Sequence, residues 1–196
     1  KRNGTGIDIN LSVQHVLNCN GGGTCHGGSV PGPYQWLSDL SSQTGKGISY
    51  ETSQPYLACS SESTEGICKG QDWSCTPENV AKTCSTFPPA GKCTGLTSYP
   101  NATIDEYGSI KGAEAMKREI FQRGPIACGV DADALDKYTG GIVTKRGLMV
   151  NHIISITGWG TDEESGKQYW WLRNSWGEYW GLMGFAKVEM GSNAIR

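Results

Sequence analysis

The sequence predicts an α+β chain with two lobes, a helix-and-loop part followed by a β-rich, barrel-like part of antiparallel strands. Three observations lead there. Seven of the eight cysteines lie between residues 19 and 93, in a stretch rich in Gly, Ser and Thr. The pattern changes near Tyr99-Pro100. Beyond it come short apolar runs separated by glycines. A first domain is therefore expected over 1–98 and a second over 99–196, and 37% hydrophobic residues in 196 suffice for a core.

Ser12 is a candidate N-cap for a short helix in which Val13, Val16 and Leu17 recur at i, i+3 and i+4 as an apolar stripe. Asn18 to Gly28 is a glycine-rich loop. Pro33 to Leu40 reads as a second helix, stopped by Ser41 to Gly47. Residues 50 to 100 read as loop, with Pro55, Pro77, Pro88 and Pro89 and five cysteines. A loop of that length needs an external constraint. Gly112 to Arg123 reads as a helix with Ala113, Met116 and Ile120 on one face, ended by Gly124-Pro125. Strands are expected at Ile126 to Val130, Ile153 to Thr157, Tyr169 to Leu172 and Phe185 to Val188, with Gly158-Trp159-Gly160 closing the second of them.

A formal charge of −2 argues against nucleic acid or an anionic membrane surface as the main partner. No apolar run approaches the roughly 20 residues that span a bilayer, so no membrane insertion is expected. Lys1 opens the chain in place of Met and no signal-peptide pattern follows, as in a processed, truncated or partial chain. Zinc sites usually pair their ligands as C-x2-4-C. The cysteine cluster is more widely spaced and only Cys25-His26 sets a histidine beside a cysteine, so disulfides in an oxidising compartment are the better reading. Sequons at Asn3, Asn10 and Asn101 fit a secretory route weakly. No metal or other cofactor is expected, and the oligomeric state is open.

The informative stretch is Asn151 to Gly184. Asn151-His152-Ile153-Ile154 enters an apolar strand, and Asn174-Ser175-Trp176-Gly177, Trp180-Gly181 and Gly184 follow. Five of the seven tryptophans lie between Trp159 and Trp180, which on composition alone is a core. The order says more. A histidine on a strand followed by Asn-Ser-Trp-Gly is an arrangement used by thiol peptidases. A thiol with pKa near 8.5 is largely protonated at neutral pH, and a close imidazole can take its proton and hold the thiolate as an ion pair. An amide oxygen on the far ring nitrogen orients the imidazole, and an indole covering that bond excludes water. His152, Asn174 and Trp176 suit those three tasks.

On these residues the chain resembles the papain family of cysteine peptidases, and within it the cathepsin X (cathepsin Z) branch. Leu11-Ser12-Val13-Gln14 with Cys19 resembles the family's helix and first half-cystine, and Cys25-His26-Gly27-Gly28 its C-x-G-G substrate loop. Tyr107-Gly108-Ser109, Gly124-Pro125-Ile126 and Tyr138-Thr139-Gly140-Gly141-Ile142 resemble the branch. The resemblance runs from about Lys1 to Met190. It implies a peptide or protein substrate, His152 and Asn174 as catalytic residues, and Gly27, Gly28, Gly129, Ile153, Trp176 and Trp180 in substrate binding. It also implies a papain-like two-lobed fold, carboxypeptidase action in the full-length protein, with endopeptidase or another exopeptidase action as the alternatives, and a lysosomal, vacuolar or secreted location. The nucleophile segment, C-G-S-C-W, occurs nowhere in the 196 residues, so this polypeptide is expected to be inactive alone. Cys19 is no substitute: it ends a helix, where a thiolate is disfavoured. The rival reading is a secreted pseudo-peptidase that binds without cleaving.

The resemblance further implies the bridges Cys19–Cys75, Cys59–Cys68 and Cys84–Cys93. Cys25 would bridge to the nucleophile segment, and Cys128, in an apolar strand, would be a buried thiol. The alternative pairs Cys19 with Cys59 and Cys68 with Cys75.

Overall fold

In the computed structural model, residues 8–85, 91–147 and 149–192 are described; Asn3, Pro88 and Pro89 lie outside them. The chain divides into two compact units that part between Gly108 and Ser109. The composition change at Tyr99 falls earlier because residues 99–107 pair back onto the first unit. Asn101–Ala102 forms a strand with Ile48–Ser49, Ile104 N donates to Ser41 Oγ, and the Tyr107 hydroxyl donates to Gln35 Oε1.

In chain order, the first unit comprises α1 (Val13–Asn18), β1 (Gly23–Thr24), β2 (Gly27–Gly28), α2 (Pro31–Thr44), β3 (Ile48–Ser49), α3 (Pro77–Val80), β4 (Lys82–Cys84), β5 (Cys93–Gly95) and β6 (Asn101–Ala102). Three disulfides tie it: Cys19–Cys75, Cys59–Cys68 and Cys84–Cys93. Ser12 caps α1, its hydroxyl accepting from His15 N at 3.0 Å.

The expected apolar stripe of α1 is not what the helix buries. Val13 is 55% exposed, while Gln14, His15 and Asn18 are buried. The reason is the coil that follows, whose backbone needs partners. Gln14 Nε2 donates to Cys59 O at 2.7 Å and Gln14 Oε1 accepts from Leu57 N at 3.0 Å. Asn18 Nδ2 donates to Asn79 O at 2.8 Å, and Ser12 Oγ to Gln54 O at 2.7 Å. His15 Nδ1 accepts from Ser49 N at 3.1 Å.

Helix α2 also departs from expectation, running through Ser41 to Thr44. Its stop is Gly45, which takes the left-handed φ of +67° that glycine adopts without strain.

The second unit holds α4 (Ala113–Arg123), β7 (Ile126–Val130), β8 (Ile142–Val143), β9 (His152–Thr161), β10 (Gln168–Arg173) and β11 (Phe185–Glu189). The five strands form one sheet in the order β7-β9-β10-β11-β8. Two expectations are corrected here. The sheet is not wholly antiparallel, because β8 runs parallel to β11. No closed barrel forms among the described residues, since β7 and β8 are the two edges. Strand β9 continues through Gly158-Trp159-Gly160, which pairs with Tyr169 to Trp171 beyond a bulge.

Alternation sets the core. Ile154 and Ile156 of β9, Trp170 and Leu172 of β10, and Ala186 and Val188 of β11 point to one face and pack with Val130, Val143, Leu135, Tyr138 and Ile120. Met116, on the same face of α4 as Ile120, packs against this cluster. The sheet therefore fixes the start of β9 and the end of β10, where the candidate site lies.

Candidate active site

His152 is the first residue of β9, held opposite Val130 of β7. Asn174 follows the last residue of β10, Arg173, which pairs with Ser155 of β9. Adjacent antiparallel strands thus bring the two side chains together: His152 Nε2 lies 2.8 Å from Asn174 Oδ1. The backbone of Asn174 is pinned as well, its N–H donating to Gly184 O at 2.9 Å.

A second contact fixes the protonation of the imidazole. Ser175 N donates to the same Asn174 Oδ1 at 2.8 Å. A backbone N–H can only donate, so the atom it meets is the amide oxygen. That oxygen can only accept, so Nε2 of His152 carries a proton. In neutral His152 the proton therefore sits on Nε2, and Nδ1 keeps its lone pair. Nδ1 is the ring atom left able to take a proton from a donor.

Trp176 stacks on the imidazole, with centroids 5.1 Å apart and planes at 23°. Trp180 meets Trp176 edge-on at 5.3 Å, and Tyr138 meets Trp180 at 5.7 Å. Trp176 thus covers one face of the imidazole that makes the bond to Asn174.

The other candidates fall in several places. Gly129 of β7 is the cross-strand partner of Ile153 of β9. Ile153 is 41% exposed although its neighbour Ile154 is core, because alternation turns it to the opposite face. Gly27 and Gly28 form the exposed strand β2 of the first unit, paired with β1 alone. Cys25 is an exposed thiol 3.4 Å from Ala58 O. His26 stands 3.9 Å from Glu62 at the surface. Cys128 is half-buried, and that burial pushes its thiol pKa up, which disfavours a thiolate there. Cys19, being bridged to Cys75, has no thiol to offer. Among the described residues no cluster of His, Cys, Asp and Glu could hold a metal. Two groups escaped the reading of the sequence: the Gly184 carbonyl and Tyr138. Gly184 showed only as spacing after Trp180, and Tyr138 only as part of a resembling run.

Helix, disulfides and coil ahead of a sheet that presents a histidine–asparagine pair under indole cover define a papain-like fold. A solved structure, the proform of the ragweed pollen cysteine protease Amb a 11, has the same fold at a TM-score of 0.68 and 23% identity, covering 97% of this chain and 50% of that one. The bromelain protease of Ananas comosus, solved with the inhibitor E64, matches at a TM-score of 0.62 and 25% identity over 98% of this chain and 76% of that one. The family model for papain family cysteine proteases matches residues 1–196, and the chain belongs to that family. It is 38% identical over 191 residues to a cathepsin Z of Onchocerca volvulus, covering 96% of this chain and 55% of that protein. The chain spans about half the length of the curated relatives it matches.

Proposed function

We propose that the chain carries the histidine–asparagine half of a cysteine-peptidase site, and that the full-length protein hydrolyses peptide bonds as a carboxypeptidase. The observation that carries this reading is the bond from His152 Nε2 to an Asn174 oxygen that also accepts from Ser175 N. It leaves Nδ1 as the base. In the full-length protein a cysteine thiol outside these 196 residues gives its proton to Nδ1, and the thiolate attacks the peptide carbonyl. The imidazolium then returns the proton to the departing amine. A thioester remains, and water, deprotonated by His152, hydrolyses it. Asn174 holds the ring through both steps without exchanging a proton.

The substrate is an extended peptide. The outer edge of β2 supports pairing with it, since Gly27 and Gly28 have no side chains to obstruct a strand. Gly129 and Ile153 suit the wall of a specificity pocket: one contributes no side chain and the other an exposed apolar one. Trp176 and Trp180 suit the leaving side. The similarity to cathepsin Z supports removal of single residues from a free C-terminus, and with the disulfides it supports a lysosomal, vacuolar or secreted location. The 196-residue polypeptide alone is inactive in this reading.

The test uses the full-length protein and a peptide with a free C-terminal carboxylate, assayed beside its C-terminal amide. Single-residue release from the acid but not the amide is expected. His152→Ala should lower kcat by roughly 10⁴–10⁶-fold and Asn174→Ala by less. Near-normal turnover in the histidine variant refutes the assignment.

A further inference from the structure

We infer that Tyr138 is a positioning residue for His152, acting through the contacting rings of Trp180 and Trp176. This rests on the peptidase reading above. The chain of contacts is continuous: His152 to Trp176 at 5.1 Å, Trp176 to Trp180 at 5.3 Å, and Trp180 to Tyr138 at 5.7 Å. What makes Tyr138 the anchor is the difference in how the rings are held. Trp180 Nε1 is buried and has no acceptor among the described residues, so no polar contact of its indole sets the ring's orientation. Packing sets it, with Trp176 edge-on to one side and Tyr138 tilted against it.

Tyr138 is fastened at its far end. Its hydroxyl donates to Gly141 O at 2.7 Å and accepts from Lys187 N at 3.2 Å, so one phenol joins the turn before β8 to strand β11. It is 8% exposed and belongs to the core of the second unit. Burial pushes the phenol pKa up, so the hydroxyl remains a donor across the working range of a peptidase. The backbone is shaped to admit the ring. Gly181 follows Trp180 with φ +58°, and a Cβ there would come within 3.0 Å of Tyr138 Cδ1 and 2.6 Å of Phe185 O. The ring anchored at Gly141 and Lys187 thus limits where Trp180 sits. Trp180 limits Trp176, and Trp176 covers the imidazole whose bond to Asn174 leaves Nδ1 as the atom able to take a proton.

The experiment compares Tyr138→Phe, Tyr138→Leu and His152→Ala in the full-length protein. It reads kcat, KM and the pH dependence of thiol alkylation by iodoacetamide, each normalised to active-site titre. Tyr138→Leu removes the ring beside Trp180. It should lower kcat about 10-fold with KM little changed, since small misplacements at a catalytic group cost up to about 100-fold. It should also move the acid limb of alkylation to higher pH, because a loosened imidazolium stabilises the thiolate less. Tyr138→Phe keeps the ring and loses both hydrogen bonds, so a smaller change in the same direction is expected. Should Tyr138→Leu misfold, the phenylalanine variant alone decides. Alkylation profiles and kcat that superimpose on wild type after normalisation overturn the inference while an inactive His152→Ala leaves the peptidase reading standing. An active His152→Ala removes the reading itself.

Discussion

The two units of this chain solve the same problem with opposite materials. Among the described residues of the second, eleven hydrophobic ones are buried, nearly all contributed by the sheet and the segments packed on it, with Asp131 and Ser192 as the buried polar residues. Among the described residues of the first, the buried hydrophobic ones are Leu37, Cys59 and Ala81, against seven buried polar ones: Ser12, Gln14, His15, Asn18, Ser49, Gln54 and Ser60. Apolar burial stabilises in proportion to area, and the first unit has little to bury. It relies on disulfides, which restrict the unfolded chain, and on side chains that satisfy backbone groups of the coil. The candidate base, His152, stands on the unit with the apolar core, where it begins β9 and pairs with Val130 of β7.

The largest way to break this contrast is to attack each material in turn. Joint replacement of Cys19 and Cys75 by serine opens a bridge between residues 56 apart in sequence. The chain-entropy relation gives a loss of about 4 kcal/mol for a loop of that size. Amide hydrogen exchange on the full-length protein should show the loss in α1, α3 and the coil between them, with β9, β10 and β11 still protected. Leu172→Ala, which hollows the sheet core, should cost about 2–5 kcal/mol and reverse the pattern. Equal deprotection of both units in either variant would show that they do not differ in the way described.

A smaller effect separates the units by pH. Burial lowers the His15 pKa from its ordinary 6.5 to about 4. Geometry gives the same sign: Nδ1 accepts from Ser49 N, and a proton on Nδ1 would set two donors face to face. Between pH 6.5 and 4 the unfolded chain takes up a proton that the folded chain refuses. Stability of the first unit therefore falls as pH drops through that window, by about 3 kcal/mol when complete. Exchange protection of α1 measured at pH 7 and pH 4.5 should fall in the native protein and fall less in a His15→Asn variant. Identical slopes in the two would remove His15 as the cause. The bridges do not titrate, and they remain as the constraint on this unit at the acid end.

What the sequence made legible follows the same division. Strands β7, β10 and β11 were plain because short apolar runs between glycines mark strands directly. The meeting of His152 and Asn174 was legible as a strand histidine followed by Asn-Ser-Trp-Gly, an arrangement used by thiol peptidases. The strand β8 was not, since Ile142-Val143 is too short to show a period and its parallel pairing with β11 depends on a crossover. Helix α2 ran past Ser41 because serine is a mild helix former, and only a residue at ease with left-handed φ stopped it. Tyr138 was invisible as a partner of Trp180 because the contact joins residues 138 and 180 through the fold. The apolar stripe of helix α1 is only partly buried, with Val16 and Leu17 half-buried and Val13 exposed, while its polar face is fully buried. Hydrophobic periodicity counts apolar side chains, whereas this helix is oriented by the hydrogen-bond demands of a distant coil.

That misreading supplies the finest test of the contrast. Val13, Val16 and Leu17 form the stripe that periodicity favours, yet Val13 is 55% exposed and Gln14 beside it is fully buried. Val13→Ser removes apolar surface that water already reaches, so stability should change by no more than about 0.5 kcal/mol. Gln14→Ala leaves Cys59 O and Leu57 N without the partners they have now, and it opens a cavity under the helix. An unsatisfied buried backbone group costs about 1–3 kcal/mol, so the loss should be several times larger than for the valine. Denaturant midpoints of the two variants of the full-length protein, compared at unchanged slope, give the ratio. A valine variant that costs as much as the glutamine variant would mean that α1 is held by its apolar stripe after all, and the first unit would then differ from the second only in the amount of apolar surface it buries.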